Sequence, residues 1–227
     1  MIAVIVPIYN TEKYLRETID SVICQTLSFA EHIRLILLDD ASTDGSFAIC
    51  EQYQKQYPKQ IVVKHYDTNQ GVSALRNEGV RIAGEMGDEL ITFLDSDDKL
   101  ADDAVEKAVQ YFDAHEDVFV AAIGIRYFDA YEGEQRLNWR FEKTDVVDIK
   151  KDYTYPHYYV GGVFLRHAVL DELHFDESLS FWEDALAVNQ VIVSQGKYGL
   201  IAGTHYYYRK REDESSLVDT AWHKKER

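Results

Sequence analysis

The chain has 227 residues, with 24 Lys plus Arg against 40 Asp plus Glu and a formal net charge of −16. A field of that sign repels nucleic-acid phosphates and anionic lipid heads, which excludes a general nucleic-acid binder. At 46% apolar and 28% charged residues the composition is globular, and the length suits one large domain or two small ones.

The opening Met1-Ile2-Ala3-Val4-Ile5-Val6-Pro7 has no basic leader and is broken by proline after an apolar run. It reads as a buried strand over 2–6 and not as a signal peptide. Tyr14, Leu15, Thr18, Ile19, Val22 and Ile23 then recur at helical spacing behind a cap at Asn10 or Thr11. Residues 33–38 form a second strand, and a helix capped by Asp44 runs to about Tyr57, where Pro58 ends it. A third strand covers 61–65, a helix 73–83 is closed by Gly84, a fourth strand covers 89–94, and a helix over 102–114 follows. Strands alternating with helices predict an α/β fold with a mostly parallel central sheet.

Past residue 115 the expectations are a strand over 118–125, a hairpin within 126–150 and a short strand over 162–165. A helix over 183–195 and two strands with an aromatic face, 198–202 and 205–208, complete the chain. The run 118–125 is far short of the ~20 apolar residues that span a bilayer. Cys24 and Cys50 have neither disulfide-framework nor metal spacing and read as buried thiols in a reducing compartment, so a cytoplasmic location is expected. The polar end at His223-Lys224-Lys225-Glu226-Arg227 suits a domain cut from a longer protein.

Three of the four leading strands end in polar residues: Tyr9-Asn10, Asp39-Asp40 and Asp95-Ser96-Asp97-Asp98. Ligands of open parallel sheets bind beyond the strands' carboxyl ends, so these point to one shared site. Asp95 and Asp97 are hard oxygen donors on a turn, suited to Mg²⁺ or Mn²⁺ shared with a diphosphate; the plainer alternative is an acidic turn that caps the next helix. Asp39 and Asp40 are adjacent carboxylates after an apolar strand, able to accept from a base N–H or a ribose hydroxyl. In Asn69-Gln70-Gly71-Val72-Ser73-Ala74-Leu75-Arg76-Asn77 a glycine, a helix start and an arginine one turn in suit a diphosphate, or else Arg76 lies on a solvated face.

Taken in order, Val4-Ile5-Val6-Pro7-Ile8-Tyr9-Asn10, Gln25-Thr26, Leu38-Asp39-Asp40-Ala41-Ser42-Thr43-Asp44-Gly45-Ser46, Asn69-Gln70-Gly71, Arg76-Asn77 and Phe93-Leu94-Asp95-Ser96-Asp97-Asp98 resemble glycosyltransferase family 2. The resemblance is close over the first ~110 residues. Gly161-Gly162-Val163-Phe164 and Phe181-Trp182-Glu183-Asp184 resemble later landmarks of the family, and Ala41 stands where it usually has glycine.

The resemblance implies a single GT-A domain, with a nucleotide-sugar half over 1–114 and an acceptor half with the base over 115–227. It implies an inverting transfer from a UDP-sugar to an acceptor hydroxyl, with Mn²⁺ or Mg²⁺ as cofactor. Pro7 and Tyr9 would line the nucleobase pocket with Asn10 also in the donor site, Asp40 would accept from uracil with Asp39 close behind, and Asp95 would face the ribose or its neighbouring water. Asn69, Gly71, Arg76, Ser96 and Glu183 would complete the donor site. Asp97 would ligate the metal with His205 as a further ligand, although a histidine among aromatics is also a common structural residue.

Asp184 resembles the family's catalytic base, although Glu183-Asp184 also suits a helix N-terminus. His157, Tyr158 and Tyr159 would contact the acceptor or simply pack the core. The acceptor implied is a surface glycan, or a lipid-linked saccharide that brings the enzyme to the inner membrane face. Competing readings are a nucleotide-sugar binder without turnover and a phosphoacceptor receiver domain; the latter places its acidic pair after the first strand, whereas here it follows the second. So many carboxylates at one sheet edge would repel a bare diphosphate, which itself demands a divalent cation.

Overall fold

The computed structural model describes residues 1–152, 157 and 159–211. In chain order the elements are β1 (Ile2–Ile8), α1 (Glu12–Ile23), α2 (Phe29–His32), β2 (Ile33–Asp39), α3 (Ser46–Gln56), β3 (Ile61–His65), α4 (Val72–Glu85), β4 (Leu90–Phe93), β5 (Lys99–Leu100) and α5 (Ala104–Ala114). There follow β6 (Val120–Asp129), β7 (Gly133–Glu134), β8 (Asp145–Asp148), β9 (Val163–Arg166), α6 (Glu183–Gln195) and β10 (Lys197–Lys210), with 3₁₀ turns at Asn138–Phe141 and His167–Glu172.

The sheet runs β3-β2-β1-β4-β9-β6-β10-β5. Its first four strands are parallel, and β1 and β2 are buried at every residue. That is the burial expected of strands covered on both faces. Ile2, Val4, Val6 and Ile8 face a core shared with α1, α3 and α5, whereas Ala3 and Ile5 face one shared with α4 and α6. Beyond β4 the sheet is mixed: β9 is antiparallel to both β4 and β6, and β6 is parallel to β10.

Other expectations shift in detail. The stretch 126–150 holds one hairpin, β6 with β7, but β8 pairs with β10 instead. The two last strands are one, β10, whose register shifts between Ile201 and His205. Gly84 lies inside α4, and the left-handed residue past its end is Gly87 at φ 70°. Cys50 is buried but Cys24, at the end of α1, is exposed. No helix among the described residues is long and apolar enough to cross a membrane.

Two features open the site. Strand order reverses between β1 and β4, the topological switch at which such sheets bind ligands. The two strands pair only as far as Ile5↔Phe93, with the Leu94 N–H donating to the Ile5 carbonyl. Pro7 follows two residues later on the same side, so its missing N–H falls where β4 has already diverged, and the ladder loses nothing.

Candidate functional site

The loops after β1 and β2 are tied to each other by reciprocal side-chain to backbone bonds. The Asn10 N–H donates to Ser42 Oγ at 3.0 Å, and the Thr43 N–H donates to Asn10 Oδ1 at 2.8 Å. The Glu12 N–H donates to Asp44 Oδ2 at 3.0 Å, while Glu12 Oε2 accepts from the Gly45 N–H at 2.8 Å. Asp44 also accepts from the Ser46 N–H at 2.9 Å, but the N-cap of α3 is Gly45, so the expected cap at Asp44 shifts by one residue and Asp44 braces the turn before it while clasping the start of α1. Ala41 adopts φ 59°, the left-handed region that explains why glycine is usual there. Between these loops Tyr9 stands 51% exposed beside the buried Pro7.

Asp39 and Asp40 separate into different tasks. Asp40 is 2% exposed and accepts from the Gln70 N–H at 2.6 Å and the Gly71 N–H at 2.9 Å, one on each carboxylate oxygen. This pins the start of α4, where Gly71 sits at φ 89°. Asn69 adds a bond from its side-chain amide to the Asp40 carbonyl at 3.4 Å. Each Asp40 oxygen keeps a further lone pair for an incoming N–H. Asp39 is fully buried: His65 Nδ1 lies 2.7 Å from its Oδ2, and its Oδ1 has no hydrogen-bond partner. His65 stacks on Phe47 with ring centroids 4.2 Å apart.

The turn after β4 alternates. Asp95 and Asp97 are half-buried with carboxylates toward the crevice, whereas Ser96 and Asp98 are 6% and 2% exposed. Ser96 is therefore turned inward rather than toward a ligand, its carbonyl accepting from Thr18 Oγ1 at 3.0 Å. Asp98 is the clamp. Tyr206 Oη donates to its Oδ2 at 2.7 Å, the Arg209 N–H donates to its Oδ1 at 2.7 Å, and the Asp95 N–H donates to Tyr206 Oη at 3.1 Å. Burial, reinforced by the charges of Asp97 and Asp95, raises the Asp98 pKa well above the usual carboxylate range. Gly161 admits the Tyr206 ring, since a Cβ there would lie 2.7 Å from it.

Burial also raises the Asp97 pKa; Asp95 pushes the same way, against Arg211, which donates to Asp97 Oδ2 at 2.9 and 2.6 Å. Arg76 closes the arrangement. It is 5% exposed, and its guanidinium donates to Asp95 Oδ1 at 3.1 Å and to Glu183 Oε1 at 2.9 Å, while its Nε has no partner among the described residues. Arg76 thus lies on no solvated face. It ties the acidic turn to the first turn of α6 across 107 residues of sequence.

Asp184 is next in that turn, with Oδ1 accepting from the Ala185 N–H at 2.7 Å. Its pKa is raised to about 6, by burial above all and by Glu183 and Asp95, against the opposing charge of Arg76. A half-buried carboxylate so shifted is suited to general base work near neutrality.

Not every expected residue joins the cluster. His205 lies one residue from Tyr206, so strand alternation turns it to the other side of β10. Burial lowers its pKa, and the charges acting on it are Arg126, Glu134, Asp103 and Lys107 rather than Asp97. The structure does not bring it to the acidic turn as a ligand. His157 is 2% exposed, and burial with the nearby Arg140 drives its pKa down to about 3. It packs against Tyr198 instead of facing an acceptor. Tyr159 accepts from Gln135 Nε2 at 3.1 Å, and Tyr158 lies outside the described residues.

The residues sequence reading missed are His65, Tyr206, Arg209 and Arg211, which fix acidic side chains, and Thr18, which holds the backbone carbonyls of Ser96 and Asp98. Among the described residues no group of three or more His, Cys, Asp or Glu is arranged to hold a metal ion.

Comparison with known proteins adds a family. The model described as Glycosyl transferase family 2 matches residues 3–174. The minor teichoic acid biosynthesis protein GgaA of Bacillus subtilis (strain 168) is 43% identical over 229 residues, covering 100% of this chain and 51% of GgaA. GgaB of the same organism is 40% identical over 223 residues, covering 96% of this chain and 24% of GgaB. The crystal structure of S. aureus TarS 1-349 in complex with UDP-GlcNAc superposes with a TM-score of 0.81 at 26% identity, covering 93% of this chain and 59% of that one. The chain thus spans about half the length of GgaA.

Proposed function

We propose, since the chain belongs to glycosyl transferase family 2 and has the GT-A fold, that it transfers a sugar from a UDP-sugar to a hydroxyl of a cell-surface glycan, with inversion at the anomeric carbon. The observation that carries this reading is the buried Arg76, which joins the acidic turn at Asp95 to the Glu183-Asp184 pair. One charge network thereby spans a donor side and a base side. The likeness to TarS, whose structure holds UDP-GlcNAc, supports the donor class, and that to GgaA supports a teichoic-acid-type acceptor.

In the proposed reaction Asp184 takes the proton from the acceptor hydroxyl as its oxygen bonds to the anomeric carbon, opposite the departing UDP. The bond from that carbon to the diphosphate breaks and its electron pair leaves with UDP, so no covalent sugar–enzyme intermediate forms. Tyr9 and Pro7 are the faces offered to the base, and Asp40 offers a lone pair to the uracil N–H. Asn10 and Asn69 act through the loops that they brace, and Asp39 through His65. Glu183 holds Arg76, and Arg76 keeps Asp184 ionised at pH 7 while leaving it basic enough to work.

The donor set also fits a divalent ion. Asp95 and Asp97 each keep an oxygen free of the bonds described above, and with Asp98 they set three carboxylates in one turn beside Arg76, Arg209 and Arg211. Two protein carboxylates suit Mg²⁺ or Mn²⁺, which commonly fill the remaining positions with water and substrate phosphates. When bound, such an ion offsets the charge of the departing diphosphate.

The test is a thermal-unfolding screen of UDP- and GDP-sugars with and without Mn²⁺. A ligand of the native state raises its stability by mass action, about 2.7 kcal/mol at a hundredfold excess over Kd. UDP-sugars are expected to raise the unfolding temperature more with Mn²⁺ than without, and Asp97→Ala to lose that increment. The absence of any UDP-sugar effect would contradict the proposal.

A further inference from the structure

We infer that the indole of Trp182 is the platform on which a sugar ring of the acceptor rests beside Asp184; this deepens the proposed transfer and rests on it. Trp182 is 51% exposed although tryptophan is among the most apolar-rich side chains, and it directly precedes Glu183 and Asp184. Its backbone is left-handed, at φ 68° and ψ 9°. That conformation is a genuine outlier for a bulky residue, and strained residues of this kind cluster at ligand clamps and active sites.

The turn itself does not require an indole. The carbonyl of Trp182 accepts from the Leu186 N–H at 3.0 Å and starts α6, a backbone service that glycine would give without strain. What a glycine could not supply is the ring. Phe181 meets it at 5.2 Å in a T-shaped contact, and Leu186, one turn on, is 42% exposed. Phe181 and Trp182 thus put two aromatic rings at the N-terminus of α6.

The donor elements, Asp40 and the acidic turn, follow β2 and β4, so the Asp184 end of the crevice is the side left for the acceptor. A sugar ring has an apolar C–H face and a polar hydroxyl rim. Laid on the indole, it would keep its rim within reach of a carboxylate two residues along the chain.

The test uses the full chain saturated with UDP and, as probes, the methyl hexopyranosides of glucose, galactose, N-acetylglucosamine and N-acetylgalactosamine, observed by saturation-transfer NMR. The wild type is expected to bind at least one probe, with saturation strongest at its ring C–H protons. Trp182→Gly, which relieves the backbone strain, is expected to weaken that binding tenfold or more. Trp182→Phe is expected to remain within threefold, and UDP affinity within twofold in all three proteins. Unchanged probe binding in Trp182→Gly, or a wild type that binds UDP but none of the four probes, overturns the inference. Failure of the wild type to bind UDP instead overturns the functional reading beneath it.

Discussion

Arg76→Met replaces the buried guanidinium with an uncharged chain of similar reach, and two effects follow from the contacts it breaks. Removing one partner of a buried ion pair costs ~3–5 kcal/mol because the other charge is left uncompensated. Glu183, whose side chain is 12% exposed, carries most of that cost. Asp95, at 38%, is screened by solvent and contributes little. A stability loss of about 3 kcal/mol is therefore expected.

The second effect is on the base. Arg76 opposes the burial that raises the Asp184 pKa to about 6, and an adjacent opposite charge is worth ~1–3 pKa units to a carboxylate. The acid limb of the kcat/KM profile for UDP-sugar turnover should then move from near 6 to about 7–9. Measurement between pH 5 and 9, with thermal unfolding in parallel, separates the two. A limb that stays near 6 while stability falls would refute the electrostatic link and leave Arg76 a packing residue.

Asp184→Asn is expected to slow transfer ~10²–10⁴-fold and to stabilise the fold at pH 7 and above. The Asp184 pKa is raised in the folded state, from 3.8 to about 6, so the folded protein binds the extra proton and its stability falls as pH rises through that window. At 1.36 kcal/mol per unit the upper bound on the gain is ~3 kcal/mol, fading below pH 4, as unfolding curves at pH 4 and 8 would reveal. Tyr206→Phe leaves Asp98 Oδ2 and the Asp95 N–H without the bonds that the phenol makes to each, at ~1–3 kcal/mol, and should weaken UDP-sugar binding by calorimetry. Ala41→Gly removes left-handed strain of ~1–2 kcal/mol against a smaller entropic cost, so a modestly higher unfolding temperature is expected.

The local punctuation made much of the fold readable. The third strand at 61–65 and the helix at 183–195 match β3 and α6 to the residue, since a proline precedes one and a glycine follows the other. Pairing in the second half was not readable: β6 joins β10, so Gly124 meets His205, and no local pattern encodes a partner so distant. Within the site, the residue types were legible but their directions were not. Asp95 and Asp97 alternate outward and Ser96 and Asp98 inward because Thr18 and Tyr206 hold the turn from other elements. His65 was recoverable in principle, being the last residue of β3 and in register with Asp39. The left-handed Trp182 leaves no sequence signal, because glycine, not tryptophan, is what such a backbone advertises.

The most direct measurement is UDP release from UDP-glucose, UDP-galactose, UDP-N-acetylglucosamine and UDP-N-acetylgalactosamine with Mn²⁺, in the wild type and Asp184→Asn, with UDP affinity determined for both. Turnover of at least one donor by the wild type is expected, with a loss of ~10²–10⁴-fold in Asp184→Asn as for a missing general base, and UDP affinities within a few fold. Equal turnover in the two proteins, or none by the wild type despite tight UDP binding, would contradict the proposed transfer.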